Sequence, residues 1–213
     1  MREFHLLSIA EIQSNIGEAV SAALGRPSFS LAKPLQWIDS SAAPVRRVFG
    51  YRQLKGGVVA PIWGYSFDFV PHLSAGKIKW HRTEKSAVLD AYIDGQSQDA
   101  NLYCMWGVAG LQEGVSERIN SAAKQAFELW RSAATPAQIF EQVAALAEER
   151  GSRMQIQLPM AAAICHAFAG RETRGRKELE SYIDRSSPRE EAIPQLREIF
   201  ENALRSGFPW NDL

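Results

Sequence analysis

Six polar residues have side chains that could do chemistry, and they lie within a short stretch of the chain. They are Arg46, Arg47, Asp68, His72, Lys79 and His81. Carboxyl and imidazole groups transfer protons at neutral pH, whereas guanidinium and ammonium groups bind anionic or polar ligands. We therefore treat these six residues as the candidate ligand-binding or partner-binding site. No residue is singled out as catalytic.

The first three of these residues lie in a predicted β-hairpin. Residues 45–54 and 58–70 are rich in β-branched and aromatic side chains, which favour strands. Gly56 and Gly57 lie between the two segments, and glycine accepts the positive φ angles that a tight hairpin turn requires. The sequence therefore predicts two antiparallel strands joined by this turn.

The register of the hairpin predicts which side chains are neighbours. With a two-residue turn at the glycines, Arg47 faces Ser66, and Asp68 is its diagonal neighbour on the same face. Arg46 lies opposite Phe67, where a guanidinium can stack on an aromatic ring. We expect a polar patch for an anionic or polar ligand; the alternative is an ordinary ion pair on a solvent-facing sheet.

Aromatic residues alternate along the second strand of the hairpin, at Trp63, Tyr65, Phe67 and Phe69. Burying one aromatic face removes a large apolar area from water, so we expect this face to pack under the helices. The opposite face, which carries Ser66, is then expected to be polar and to be the place for function.

Histidines and cysteines give no metal-binding spacing. The four histidines include no pair at helical ligand spacing, and Cys104 and Cys165 are isolated in apolar segments. His72 and His81 follow different predicted strands, so strand pairing need not bring them together, although a two-histidine site stays possible. His166 lies in an apolar helix and is expected to be a core residue. We predict neither a metal nor a cofactor.

The elements that must position these residues indicate an α+β fold. Strands group in the middle of the chain and helices follow, which is unlike the alternating βαβ pattern of a parallel sheet. We predict an N-terminal helix, a central antiparallel sheet of three to five strands and a C-terminal helical half of four to five helices. Residues 1–213 are expected to form one domain, with a sheet-rich part at about 35–108 and a helical part at about 110–213.

Helix and strand boundaries follow from caps, turns and hydrophobic spacing. Ser8 and Glu11 form a capping box for a helix at 8–24, and residues 26–44 are expected to be a loop that is interrupted by the short apolar piece 35–38. Further strands are expected at 78–82 and 102–108, while 87–93 suits a strand or a short helix. Helices are predicted from about 111, 136, 159 and 172, and a last helix follows a capping pattern at Ser187.

One segment resembles a known repeat. Residues 159–183 are similar to a helix–turn–helix unit of tetratricopeptide type, with small residues at Ala162, Ala163 and Ala169 and a turn at Gly170. The unit occurs once, and repeat proteins need about three stacked units to bury a continuous core. The resemblance therefore predicts a helical hairpin and no more.

Charge and composition disfavour several classes of protein. The chain has 24 basic and 24 acidic residues, whereas nucleic-acid binders usually carry a basic excess. It contains no apolar run of 18 residues, so we expect no membrane span. Two isolated cysteines are typical of a reducing compartment, which makes the cytoplasm the expected location.

Three functions rank above nucleic-acid binding, which the balance of charge disfavours but does not exclude. The first is a non-catalytic cytoplasmic interaction protein, an adaptor or inhibitor of one protein partner, since six tryptophans are present and Trp is favoured at interfaces. The second is an enzyme with acid–base chemistry on the central sheet. The third is a small-molecule sensor with a pocket between sheet and helices. The sequence favours the first and leaves the oligomeric state open.

Overall fold

The computed structural model describes residues 6–25, 28–95, 100–104, 107–150 and 155–208. The chain divides into two compact units: unit 1 comprises Met1–Tyr65 and Tyr92–Arg131, and unit 2 comprises Ser66–Ala91 and Ser132–Leu213. The described residues contain seven helices and an antiparallel sheet, which confirms the α+β class. The single domain over 1–213 stays a prediction.

Helix α1 of unit 1 spans Ile9–Ala23 and confirms the predicted N-terminal helix. Its capping box is formed on both sides, because the Ser8 hydroxyl accepts from the Glu11 amide and the Glu11 carboxylate accepts from the Ser8 amide. The buried face carries Ile12, Ile16 and Val20 at helical spacing. The same unit contains the short helix α2, Gly107–Gln112, and the long helix α3, Val115–Arg131.

The main sheet has the strand order β1-β2-β3-β4-β7, and β8 also pairs with β4. Its strands are β1 Ser30–Lys33, β2 Gln36–Asp39, β3 Val45–Leu54, β4 Val58–Phe67, β7 Ala91–Asp94 and β8 Leu102–Tyr103. The expectation of a loop at 26–44 is wrong for β1 and β2. Leu35 adopts a positive φ of 58° and closes a tight turn after Pro34, so the proline that suggested a loop lies in a hairpin.

The predicted turn between β3 and β4 is present, with φ angles of 78° at Gly56 and 71° at Gly57. The aromatic row is buried at Trp63, Tyr65 and Phe67, as predicted. On the opposite face, which was expected to be polar, Ser66 has no exposed surface. Most residues of β3 and β4 are buried on both faces of the sheet. The alternation of polar and aromatic residues therefore does not indicate a solvent-facing side.

Two other strand predictions need correction. The ambiguous segment 87–93 is a strand only from Ala91, in β7, and the strand expected at 102–108 is confirmed only for Leu102–Tyr103, since α2 begins at Gly107. Residues 78–82 do not extend the main sheet. Strand β6, Lys77–Lys79, instead pairs with β5, His72–Ser74, in a separate antiparallel hairpin of unit 2.

The remaining helices belong to unit 2 and confirm the predicted helical half. They are α4 Pro136–Arg150, α5 Leu158–Phe168, α6 Glu172–Ser186 and α7 Ala192–Ser206. Helices α5 and α6 form the expected helical hairpin, with Gly170 at a positive φ of 69° between them. The capping pattern expected at Ser187 is wrong, because Ser187 adopts the left-handed conformation as the C-cap of α6.

Membrane insertion has no support in the helices of the described ranges. None of them combines the length and the apolar composition that a membrane span needs.

Replacing the N-cap serine tests the capping box of α1. We expect Ser8→Ala to lower the free energy of unfolding by about 1 kcal/mol, because the Glu11 amide loses its acceptor. The exposed helical residue Ser14 is the matched control, and Ser14→Ala should leave stability unchanged or slightly higher. Urea titrations followed by circular dichroism measure both changes, and equal effects would contradict the role of the cap.

Candidate functional site

The β5–β6 hairpin of unit 2 brings two of the predicted site residues together. Its two-residue turn, Ala75-Gly76, has positive φ at both positions, 51° and 75°, which matches the twist of a hairpin. His72 pairs with Lys79 across the hairpin, and His81 lies two residues beyond Lys79. Since side chains alternate along a strand, the two histidines lie on the same side.

The two imidazoles and a buried carboxylate form a continuous chain of hydrogen bonds, which we call the His72–His81–Asp90 chain. The Nδ1 atoms of His72 and His81 are 3.0 Å apart, and His81 Nε2 is 2.8 Å from Asp90 Oδ2. His81 and Asp90 have no exposed surface, whereas His72 is half-buried. The chain therefore connects a deeply buried carboxylate to a residue that reaches solvent.

Asp90 is the buried end of this chain, and its environment raises its pKa. The largest cause is loss of hydration, which disfavours the charged carboxylate. The hydrogen bond and charge of His81, the backbone amide of Phe67 and the side chain of Gln157 oppose this effect. The Phe67 amide donates to Asp90 Oδ2 at 2.7 Å, so the end of β4 is bonded directly to the carboxylate.

Two helices of unit 2 fix the base of the hairpin beside this chain. Gln157, which precedes α5, donates from Nε2 to the carbonyl of Pro71 at 2.6 Å. The hydroxyl of Tyr182 on α6 accepts from the Leu73 amide at 3.2 Å and donates to Gln157 Oε1 at 3.4 Å. Burial raises the pKa of Tyr182 to about 12, so this phenol stays a neutral donor at physiological pH.

The other predicted site residues do not join the His72–His81–Asp90 chain. Arg47 lies in unit 1 and forms an ion pair with Asp39, its direct neighbour in the β2–β3 register, at 3.6 Å. The expected partner Asp68 belongs to unit 2, and the prediction missed Asp39 because it treated β2 as part of a loop. Arg46 is buried, with 6% of its surface exposed, and so does not offer a surface patch. Lys79 is exposed on β6.

Asp68 instead borders a pocket of about 530 Å³ within unit 2, which we call the unit 2 pocket. One wall comes from α5 and α7, through Ile164, Phe168, Ile199 and Ala203. The opposite wall consists of Asp68 and Phe69 after β4, and of Trp80 and Arg82 after β6. The pocket is thus apolar in its depth and has polar groups at its rim.

An aromatic cluster supports the apolar side of this pocket. The ring of Phe69 stacks on Phe67 and meets Phe140, Phe168 and Phe208 edge to face, with ring centres 5.1–6.3 Å apart. Edge-to-face pairs of this kind add to the stabilisation that comes from burial alone. Phe69 and Phe168 of this cluster line the pocket and form its aromatic floor.

The rim of the pocket is held by a cation–π contact. The guanidinium of Arg82 lies 4.4 Å from the centre of the Trp80 ring, and its Nε donates to the Asp68 carbonyl at 3.4 Å. Trp80 nevertheless keeps 39% of its surface exposed. A large aromatic ring thus stays accessible at the edge of an apolar pocket.

The cysteines behave as buried packing residues, as predicted. Both are free thiols in the interior, and burial raises the pKa of each. The charge of Asp90 raises the pKa of Cys165 further. His166 is buried too, and loss of hydration followed by the charge of Arg174 lowers its pKa. These pKa changes keep the thiols and the His166 imidazole uncharged.

Metal binding has no candidate group among the described residues. Three or more His, Cys, Asp or Glu side chains that could hold an ion do not meet anywhere in these ranges. His72 and His81 approach each other as a pair, and the third member of the group, Asp90, contacts His81 through its other ring nitrogen.

Sequence reasoning missed three residues of the site: Asp90, Gln157 and Tyr182. Asp90 carried a usable signal, since it is the single charged residue inside the apolar segment 87–93, where a buried charge needs a partner. Gln157 and Tyr182 carried no such signal. Their contacts with residues 71–73 span 86 and 109 positions of the chain.

Comparison of the chain with protein-family models, with curated proteins and with solved structures found no match.

Removing His81 tests how much the buried His81–Asp90 pair contributes to stability. We expect His81→Ala to lower the free energy of unfolding by about 3 kcal/mol, because Asp90 loses a donor while it stays buried. Lys79→Ala, at an exposed position two residues before His81, should change it by less than about 0.5 kcal/mol. Chemical denaturation at pH 7 measures both, and a similar small effect for the two variants would contradict the assigned pair.

The raised pKa of Asp90 predicts a pH-dependent difference between the wild type and Asp90→Asn. A carboxyl whose pKa is higher in the folded state than in the unfolded state destabilises the fold as pH rises from about 3.9 through the folded pKa. Asparagine does not titrate. The stability of Asp90→Asn relative to the wild type should therefore rise over this window, as measured by urea titrations from pH 4 to 8. A difference that is constant or falls with pH would contradict the shift.

Proposed function

We propose that the chain is a non-catalytic interaction protein that holds one protein partner through an apolar side chain in the unit 2 pocket. The observation that carries this proposal is the pocket itself, with apolar depth, an aromatic floor and exposed Trp80 and Arg82 at its rim. Trp and Arg are the residue types that most often dominate binding energy at protein interfaces. An adaptor or an inhibitor of one partner fits this arrangement.

The position of the rim residues favours a protein partner over a small molecule. Small-molecule sites bury most of their ligand inside a concave cavity. Here Trp80, Arg82, Asn202 and Ser206 lie exposed at the edge of the pocket, where a larger partner would cover them. The inserted side chain would meet apolar walls, while the polar groups of the partner backbone would lie near Asp68 and Asn202.

Acid–base catalysis has weaker support than binding. The His72–His81–Asp90 chain could move protons, but none of its members lines the unit 2 pocket. Trp80 and Arg82, which do line it, are the immediate neighbours of His81, and alternate residues of an extended segment point to opposite sides. The candidate proton path and the candidate binding surface are therefore on opposite sides of the hairpin.

Cellular location and the type of partner belong to the same proposal. Two buried free thiols suit a reducing cytoplasm. The equal numbers of acidic and basic residues favour a protein partner over a nucleic acid. We propose no metal or cofactor for this binding activity.

A peptide selection tests the proposed binding. We expect phage-displayed peptides selected on the full chain to carry an aromatic or large aliphatic anchor residue. Truncation by Trp80→Ala should weaken the selected peptides about 30-fold, the effect of removing an interface residue worth about 2 kcal/mol. Fluorescence polarisation of labelled peptides measures the affinities. Leu31→Ala, which truncates an exposed apolar residue of unit 1, should leave them unchanged.

A second variant locates the binding in the pocket. Ser206 is exposed at the end of α7 and lines the pocket, so Ser206→Trp should fill the pocket without disturbing the core. We expect it to weaken the peptides at least tenfold, whereas Gln195→Trp, an exposed position of α7 outside the pocket, should not. Peptides that bind Ser206→Trp normally would overturn the proposed site. A selection that yields no binding peptide would overturn the proposed function.

A further inference from the structure

The β5–β6 hairpin and the residues that follow it stand between the His72–His81–Asp90 chain and the unit 2 pocket. His81 points to the buried side and contacts His72 and Asp90. Its neighbours Trp80 and Arg82 line the pocket. Three consecutive residues therefore connect a titratable cluster to a proposed binding surface.

The contact between the two imidazoles limits how many protons the cluster can hold. Two Nδ1 atoms at 3.0 Å form a hydrogen bond only when one of them carries a proton and the other does not. With Asp90 ionised, His81 keeps a proton on Nε2 to donate to the carboxylate, and its Nδ1 accepts from His72. One further proton on His72 Nε2 leaves both hydrogen bonds intact.

Protonation of both rings breaks this arrangement. Each imidazolium carries protons on both nitrogens, so the two Nδ1–H groups then face each other without an acceptor. The two positive charges also repel at a short distance in a largely buried site. The 3.0 Å contact cannot persist in this state, and the half-buried His72 is the member that can move towards solvent.

The groups around the rings differ in charge. Asp90 is an acidic side chain in direct contact with His81. The amide of Gln157, which precedes α5, is neutral. The thiol of Cys165 on α5 and the phenol of Tyr182 on α6 are also neutral, since burial raises the pKa of both. Lys79, directly opposite His72 on β6, adds a further positive charge.

We propose that this cluster is a pH-sensitive gate on the unit 2 pocket, which opens when both His72 and His81 are protonated. Separation of the rings releases the segment that follows β6, so Trp80 and Arg82 leave the positions that form the pocket wall. Acid therefore weakens the binding of an apolar side chain there. The inference rests on the proposed function for its biological meaning, but the movement of Trp80 can be measured without any ligand.

Nuclear magnetic resonance of the ligand-free full chain tests the movement first. Imidazole nitrogen signals report which ring nitrogens carry protons, and the indole signal of Trp80, assigned from Trp80→Phe, reports the pocket wall. Between pH 7.5 and 4.5 we expect both rings to become imidazolium and the Trp80 signal to shift with the second of these protonations. Protonation of both rings without a shift of Trp80 overturns the gate, as does a Trp80 shift that precedes it.

Variants separate the gate from general acid unfolding. His72→Gln cannot form the second imidazolium, so its Trp80 signal should stay at the neutral-pH position throughout the range. His166→Gln removes a histidine of the same unit outside the cluster and should keep the wild-type transition. A wild-type transition in His72→Gln overturns the gate.

Affinity of the selected peptides distinguishes this inference from the proposed function. We expect the wild type to bind them at least tenfold more weakly at pH 5.0 than at pH 7.5, and His72→Gln to bind them equally at both. If no peptide binds at any pH while Trp80 still moves with the rings, the proposed function fails and the gate stands. If peptides bind equally at both pH values in the wild type, the gate fails and the function stands.

Discussion

The buried carboxylate of Asp90 is the constraint on which the structure of unit 2 most depends. An ionised group without access to water is unfavourable unless donors surround it. Two of these donors come from the segments on either side of the β5–β6 hairpin, the end of β4 through Phe67 and the residues after β6 through His81. Satisfying one charge therefore fixes the positions of both segments, and the turn at Ala75-Gly76 follows because the chain must return between them.

The helices of unit 2 complete this arrangement by supplying neutral hydrogen-bonding groups. Gln157 and Tyr182 bind the backbone of residues 71–73 and add no charge next to Asp90. A second buried acid or a lysine there would alter the protonation of the imidazoles directly. The single carboxylate and the two imidazoles thus remain the groups that exchange protons, and their geometry, with one shared proton between the Nδ1 atoms, makes the site sensitive to the number of protons it holds.

Local signals in the sequence were sufficient for much of the fold. The capping box at Ser8, the glycine turns and the 3.6-residue spacing each involve residues a few positions apart, and the helices of the structure follow them closely. Long-range features were not accessible in this way. Ser66 was expected to lie on a polar functional face but is buried. Arg47 pairs with Asp39 on β2, a strand whose flanking prolines suggested a loop. His72 and His81 were predicted as site residues but Asp90 was not, and the hydrogen bond between Asp90 and His81 holds that ring beside His72.

The His72–His81–Asp90 chain and the unit 2 pocket lie on opposite sides of the β5–β6 hairpin, and this separation argues against treating every histidine–aspartate pair as catalytic. A proton path needs a substrate at its exposed end, and the members of this path lie on the side of the hairpin opposite the pocket. The His72–His81–Asp90 chain is connected to the pocket through the backbone, since His81 lies between Trp80 and Arg82 in the sequence. Burying the Asp90 carboxylate costs hydration energy, and we infer that this cost is retained because the carboxylate fixes one conformation. In that conformation the pocket wall stays in place while at least one of the two rings is neutral.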